Sequence, residues 1–341
     1  MRMDTEQLFV IAEAGVNHNG RLPLALELVD AAVAAGCDAI KFQTWITDKV
    51  YSRSRSIKPD YQFAAETALQ SEYELVRQLE LSFDDFRTIK DRCDRRGIAF
   101  CSTPDEIDSA NFLVELGVPF IKTGSQEVTN LPFLRQVARL GLPVIYSTGA
   151  CTLAELKAGA EAILRESAEL IILHCVSAYP APLEQMNLMM IPALRSMFGV
   201  PVGLSDHTIR SEAAHAALAL GARVFEKHLT LDRQMSGPDH KASLDPPAMK
   251  DYVDSLRALC SALGDGQKRI MPCEENTRLA FRRYIVAHRD LRAGEALTEH
   301  DVCFKKVGQG LEPDKLAMLI GNRLTVDLAV DTPLAFEMFS D

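Results

Sequence analysis

Two short stretches of the chain carry residue types suited to metal chemistry. Gly203-Leu-Ser-Asp-His-Thr208 and Phe225-Glu-Lys-His228 each run from apolar residues into a polar cluster containing a histidine. An apolar run of this length between turn signals reads as a buried parallel strand, whose polar end stands at the rim of the sheet. His207 and His228, on neighbouring rims, can share one divalent cation. A histidine taken alone is more often a hydrogen-bonded core residue, so the reading depends on its company. Lys41 and Lys122, with the hydroxyls of Thr103, Ser147 and Ser205, can receive a phosphate or carboxylate through charge-assisted hydrogen bonds. Glu13, Glu226 and Asp239 can bind hydroxyl groups or move protons. Each lysine could instead serve a core ion pair. Lys41 could also form a Schiff base, but that needs a desolvated amine with few competing charges, and the anion-binding set around it argues against this.

The elements that must position these residues alternate along the chain. Strands are expected at 8–13, 39–42, 98–101, 119–122, 143–146, 170–174, 201–204 and 223–226. Helical patterns fall at 22–35, 82–95, 105–116, 130–140, 153–164, 186–197, 211–219 and 247–263. Ser82 with Asp85 and Thr152 with Glu155 give capping signatures, and Gly36 and Gly97 give stops. Between 45 and 79 the pattern is irregular and polar, a long loop with room for one helix. Eight strand–helix repeats over roughly 265 residues match the (β/α)₈ TIM barrel. A doubly wound sheet is the runner-up, but the first turn lacks its glycine-rich signature. In a barrel the eight strand ends converge on one mouth. There stand Glu13; Lys41 and Gln43; Ser102 and Thr103; Lys122 and Ser125; Ser147 and Thr148; His174, Ser177 and Tyr179; Ser205 and His207; Glu226 and His228. Ionisable or hydroxyl side chains at all eight ends are costly as structure alone, so the mouth reads as functional.

The domain layout expected is a barrel over 1–265, a linker over 266–283, and a small domain of short strands and turns over 284–341. The last is small enough to need docking against the barrel or another subunit. The 341 residues carry a formal charge of −10, which argues against nucleic acid or an anionic membrane as the main partner. No apolar stretch approaches the roughly 20 residues of a membrane span, and the N-terminus lacks signal-peptide architecture, so a cytoplasmic protein is expected. The eight cysteines include no C-x-x-C pair and read as reduced thiols.

The polar clusters, read in order, resemble those of the sialic acid synthase family. The motifs are Ile11-Ala-Glu-Ala-Gly-Val-Asn-His-Asn-Gly20, Lys41-Phe-Gln-Thr44, Ser102-Thr-Pro104, Lys122-Thr-Gly-Ser125, Ser147-Thr-Gly149, His174-Cys-Val-Ser-Ala-Tyr-Pro180, Gly203-Leu-Ser-Asp-His-Thr208, Glu226-Lys-His228 and Gly237-Pro-Asp-His-Lys-Ala-Ser243. The tail is similar to an antifreeze-like (SAF) domain through Asp290-Leu-Arg-Ala-Gly-Glu, Lys305-Lys-Val-Gly-Gln-Gly310 and Leu319-Ile-Gly321. The resemblance implies condensation of phosphoenolpyruvate with an open-chain N-acylated hexosamine, with C–O cleavage, to give a nonulosonic acid and phosphate. The acceptor would be N-acetylmannosamine or a diacetamido-trideoxyhexose. A divalent metal, Mn2+ or Mg2+, would be held by His207 and His228. Lys41, Thr103, Lys122, Ser125, Ser147, Ser177 and Ser205 match phosphoenolpyruvate-binding positions. Glu13, Gln43, Tyr179 and Asp239 match acceptor positions, and Glu226 a proton-handling or supporting one. It also implies a domain-swapped homodimer in which each tail covers the partner's barrel mouth. Lys306 stands where the family's tail has an arginine; it keeps the charge and loses the planar fork. Gln126 replaces a common glycine and Ala150 a common methionine, departures that bear on the acceptor and not on the reaction class.

Rival readings are separable. A phosphoenolpyruvate synthase making a seven- or eight-carbon keto sugar acid needs an extra cationic cluster for a phosphorylated acceptor. A metal-dependent hydrolase barrel uses an H-x-H pair on its first strand, where this chain has Glu13. A binding protein on a retired barrel would have lost a histidine or lysine of the set.

Overall fold

The computed structural model describes residues 7–54, 71–166 and 168–340. The chain divides into two compact units, one up to Gly264 and one from Asp265. The first is built from eight parallel strands: β1 (Phe9–Gly15), β2 (Ala39–Thr44), β3 (Ala99–Pro104), β4 (Ile121–Thr123), β5 (Val144–Ser147), β6 (Leu170–Cys175), β7 (Val202–Asp206) and β8 (Val224–His228). The ladder runs β3-β2-β1-β8-β7-β6-β5-β4, and β3 and β4 lie against each other at the seam, so the ring is nearly closed. This is the expected TIM barrel. Most strands run one to three residues further than the apolar runs suggest. The ladder continues through the polar ends: Asp206 pairs with Lys227, and Glu13 with His228.

Helices alternate with the strands: α1 (Leu22–Ala34), α2 (Thr47–Val50), α3 (Glu72–Leu79), α4 (Phe83–Arg96), α5 (Ile107–Leu116), α6 (Leu131–Ala138), α7 (Leu153–Leu164), α8 (Met190–Phe198), α9 (Glu212–Ala219) and α10 (Pro246–Leu263). The expected caps form. Thr152 N donates to Glu155 Oε2 at 2.7 Å and Ser82 N to Asp85 Oδ2 at 3.0 Å, each satisfying an end group the helix cannot. The long irregular stretch contributes α2 and α3; residues 55–70, where most of the expected 45–70 loop falls, lie outside the described residues.

Strand alternation divides the barrel interior into two layers. A lower apolar layer holds Phe9, Ile11, Ala39, Cys101, Phe120, Ile145, Ile171, Leu173 and Val224. Two residues further along the same strands the inward positions become Glu13, Lys41, Thr103, Lys122, Ser147, Cys175, Ser205 and Glu226. The outward positions, such as Val10, Ile40, Phe100, Ile172 and Leu204, pack with the helix faces into the main core. The apolar layer is a floor, and its burial lets a polar layer sit above it without dissolving the barrel.

In the second unit, α11 (Glu275–Phe281) falls within the residues read as a linker. Strands β9 (Tyr284–Ala287) and β10 (Val302–Lys305) pair antiparallel, as do β11 (Arg323–Leu324) and β12 (Phe339–Ser340). Ile285, Leu291, Leu297, Leu319, Leu324, Leu328 and Leu334 make its core. No helix among the described residues is long and apolar enough to cross a membrane.

Candidate active site

Above the floor lies a cavity of about 430 Å³. Thirteen of the residues singled out by sequence line it: Glu13, Lys41, Gln43, Thr103, Lys122, Ser125, Ser147, Ser177, Tyr179, Ser205, His207, Glu226 and His228. Asp239 lines an adjoining cavity, with its Oδ2 3.7 Å from His228 Nδ1. Lys306 belongs to the second unit, where it is exposed and its Nζ lies 4.8 Å from the Phe281 ring centre.

Charge is concentrated at the cavity base. Lys41 Nζ donates to Glu13 Oε1 at 2.8 Å and to Thr103 Oγ1 at 2.8 Å, and lies 3.8 Å from Glu226 Oε2. Lys122 Nζ is 3.4 Å from Glu226 Oε1, which also accepts from Ser205 Oγ at 3.0 Å. Two ammoniums and two carboxyls, all buried, thus share one layer. Their environments separate the carboxyls. Burial dominates at Glu13 and, against Lys41, pushes it up to about 7. At Glu226 burial acts in the same sense, but Lys122 and Lys41 outweigh it and hold it down at about 2. A pair of carboxyls split in this way has one group able to hold a proton near neutrality and one fixed as an anion. Burial also lowers Lys122.

Several groups hold bonding capacity open. Glu13 Oε2, Glu226 Oε2, Ser147 Oγ and His228 Nδ1 are buried without a hydrogen-bond partner. Such groups cost stability unless a ligand completes them. The loop after β5 comes very close: a Cβ at Gly149 would lie 2.0 Å from Ser177 Oγ and 2.8 Å from Ser125 Oγ. Only glycine lets its N–H reach Ser125 Oγ, at 2.9 Å.

The two histidines stand together, with ring centres 5.3 Å apart and Tyr179 4.1 Å from His207. His207 Nδ1 donates to the Val176 carbonyl at 2.9 Å, which fixes the tautomer and leaves Nε2 as a lone pair. Burial drives the His228 pKa well below its ordinary value, so that ring is neutral, as a metal ligand must be. The Nε2 of His207 and the unpartnered Nδ1 of His228 are two nitrogen donors of the kind a divalent cation takes. Among the described residues no third His, Cys, Asp or Glu completes a cage around such an ion. The donor set therefore suits an open site, with positions left for water and substrate.

Strand parity corrects the list of strand-end residues. Ser102, Thr148 and His174 stand on the outward face: Ser102 pairs with Thr44 at 2.7 Å, Thr148 donates to Leu173 O at 3.0 Å, and His174 donates to Met186 O at 2.6 Å. Cys175, one residue past His174, faces the cavity instead, with its Sγ 3.9 Å from His207 Nδ1. Gln126 lines both cavities, its amide donating to Asp105 Oδ1 at 3.0 Å. Counting by twos from Lys122 or Ser205 would have sorted the strand residues; nothing in the local pattern marks Asp105.

Comparison with known proteins agrees with this geometry. The NeuB family model matches residues 28–268 and the SAF domain model residues 282–340. N,N'-diacetyllegionaminic acid synthase of Legionella pneumophila is 39% identical over 96% of this chain and 94% of its own length. Pseudaminic acid synthase of Campylobacter jejuni is 36% identical over 95% and 94%. The crystal structure of N-acetylneuraminic acid (sialic acid) synthetase from Leptospira borgpetersenii aligns with a TM-score of 0.71 and 31% identity, covering 81% of this chain and 93% of that one. The chain belongs to the NeuB family: it is a synthase of that family, a nearly closed eight-stranded parallel barrel followed in sequence by a SAF domain.

Proposed function

We propose that this synthase condenses phosphoenolpyruvate with an open-chain N-acylated hexosamine to give a nonulosonic acid and phosphate. The observation that carries the reading is the buried layer in which Lys41 and Lys122 face Ser147, Ser205 and unpartnered carboxylate oxygens beside the histidine pair. A trianionic substrate needs fixed cations and donors, and in an enclosed chamber these act more strongly than in water. The relatives named above make legionaminic and pseudaminic acids, which supports an acceptor of the N-acylated class.

In this reading Lys41 and Lys122 bind the phosphate and carboxylate, helped by Thr103, Ser125, Ser147, Ser177 and Ser205. Gln43, Tyr179 and Asp239 orient the acceptor. His207 and His228 would hold Mn2+ or Mg2+, which when bound supplies Lewis acidity toward a carbonyl oxygen. C3 of phosphoenolpyruvate forms a bond to the aldehyde carbon while Glu13 gives its proton to the aldehyde oxygen. Water adds at C2 and returns a proton to Glu13. The tetrahedral adduct then breaks its C2–O bond, and phosphate leaves with the hydroxyl proton. Glu226 stays ionised throughout and fixes both ammoniums. The SAF domain of a second copy would bring Lys306 to the acceptor's acyl group. The test is phosphate release from phosphoenolpyruvate, divalent metal and an acceptor panel, with ¹⁸O in the bridging position. Label recovered in phosphate supports C–O cleavage. Silence with every acceptor defeats the reading.

A further inference from the structure

The turn that follows β1, residues 16–20, and the segment between β8 and α10, residues 229–245, stand far apart in sequence and bond to each other side chain by side chain. The second segment carries Asp239, whose Oδ2 lies 3.7 Å from His228 Nδ1 at the cavity edge. A carboxylate on a connecting segment keeps a fixed place only if other groups hold the backbone that carries it.

Asn17 is fully buried, and both hydrogens of its amide are used across this join. Nδ2 donates to the Leu229 carbonyl at 2.8 Å and to Ser243 Oγ at 2.9 Å. Ser243 Oγ, having accepted that bond, donates its own hydrogen to the Asp239 carbonyl at 2.7 Å. A chain of bonds thus runs from the turn after β1 to the backbone of Asp239. A second clasp holds the residues just before it. Asn19 Nδ2 donates to the Ser236 carbonyl at 3.0 Å. A carbonyl can only accept, so this fixes the amide's orientation and presents Oδ1 to His240. His240 Nε2 therefore donates to Asn19 Oδ1 at 3.1 Å. Burial keeps the ring neutral, so Nδ1 accepts from Thr230 Oγ1 at 2.7 Å. The fit is close: a Cβ at Gly237 would lie 2.6 Å from the His240 ring and 2.8 Å from Asn19 Oδ1. The segment is therefore held on both sides of Asp239.

We propose that Asn17, Ser243 and the Asn19–His240 pair are positioning residues, which fix the backbone of Asp239 so that its carboxylate is aimed at the acceptor beside His228. The inference rests on the synthase reading, in which Asp239 orients the acceptor, and deepens it by assigning what holds that group in place. None of the four is among the residues lining either cavity, so they act on a bound substrate only through others. Ser243 is the cleanest probe. Its hydroxyl bonds to Asn17 and to Asp239, and its loss leaves the Asn17 bond to Leu229 intact. A carboxylate released from its aim loses a hydrogen bond to the acceptor while the lysines below keep theirs to phosphoenolpyruvate.

The test measures phosphate release by the full chain with phosphoenolpyruvate, Mn2+ and whichever of a diacetamido-trideoxyhexose and N-acetylmannosamine turns over faster. Ser243→Ala should raise the acceptor KM about 10-fold, with the KM for phosphoenolpyruvate and the affinity for Mn2+ unchanged. Asn19→Gly is the second probe. It deletes the amide but keeps the left-handed backbone that Asn19 adopts, at φ 50°, and should act in the same direction. In an Asp239→Asn background the Ser243→Ala penalty should largely vanish, because a residue acting through that carboxylate has nothing left to aim. An unchanged acceptor KM in either variant, an equal rise in the KM of both substrates, or the full penalty persisting in the Asp239→Asn background would each overturn the inference while leaving the synthase reading standing. No turnover by the parent with either acceptor would defeat both.

Discussion

Two buried lysine–carboxyl clusters sit at the top of the same barrel, on opposite faces of adjoining residues in β8. Outside, Lys227 lies 3.0 Å from Asp206 and also donates to the Thr208 carbonyl. Asp206 accepts from Thr208 N at 2.9 Å, Thr208 Oγ1 at 2.7 Å and Tyr252 OH at 3.3 Å. That network is closed and ties β7 and β8 to α10. Inside, Lys41 and Lys122 meet Glu13 and Glu226, but an oxygen of each carboxyl is left buried without a hydrogen bond. A pair that holds a fold together uses its bonding capacity; a pair that binds a substrate keeps some in reserve. The open pair therefore costs stability in the free protein that the closed one does not.

The contrast breaks most visibly under substitution. Lys122→Met should lower kcat/KM about 1,000-fold or more, yet lose less stability than its outward counterpart, because Glu226 keeps Lys41 and Ser205. Steady-state kinetics paired with urea unfolding checks this; a variant that unfolds while retaining turnover would invert the comparison. His228→Ala should lower metal-dependent turnover about 100-fold or more and weaken Mn2+ binding measured by calorimetry with little change in fold. Near-normal binding would remove His228 as a ligand. Lys227→Met leaves Asp206 charged and buried, and should destabilise the barrel by about 3–5 kcal/mol, with turnover of the folded fraction within a few-fold of the parent.

The smallest effect sharpens the inner pair itself. Burial raises the Glu13 carboxyl from 4.5 to about 7, so the folded state keeps a proton that the unfolded chain gives up. Its contribution is fully present below 4.5 and is lost as pH rises through about 7. Across that window the slope is about 1.4 kcal/mol per pH unit at most. Glu13→Gln should flatten that part of the stability profile and remove an alkaline limb near 7 from kcat/KM. An unchanged profile would show that Glu13 does not hold the proton.

Much of the barrel was legible because its signals are local. Apolar runs, capping pairs such as Thr152 with Glu155, and glycine stops each act within a few residues, so strand and helix order followed from the chain. The gathered site was legible for the same reason: its charged base, Glu13, Lys41, Lys122 and Glu226, stands at the ends of apolar runs. The inward and outward sets were not separated, although period-two counting from Leu173 would have turned His174 out and Cys175 in. Helix α3 was not resolved, because its apolar positions are few and polar residues surround them. Asp105 gives no sign of its place in the sequence, since only the β3–α5 turn carries it to Gln126.

By itself, then, the sequence determined the alternation of strand and helix, the polar residues at eight strand ends, and the motifs of a family. Tertiary structure alone decided which lysine is closed by partners and which stay open, and how Lys122 and Lys41, acting against burial, divide Glu226 from Glu13. It also set Asp239 in a cavity adjoining the first, beside His228. The reason is physical. Secondary structure follows from steric and hydrogen-bonding preferences of near neighbours, whereas desolvation and pairing depend on atoms that only closure of the barrel brings together.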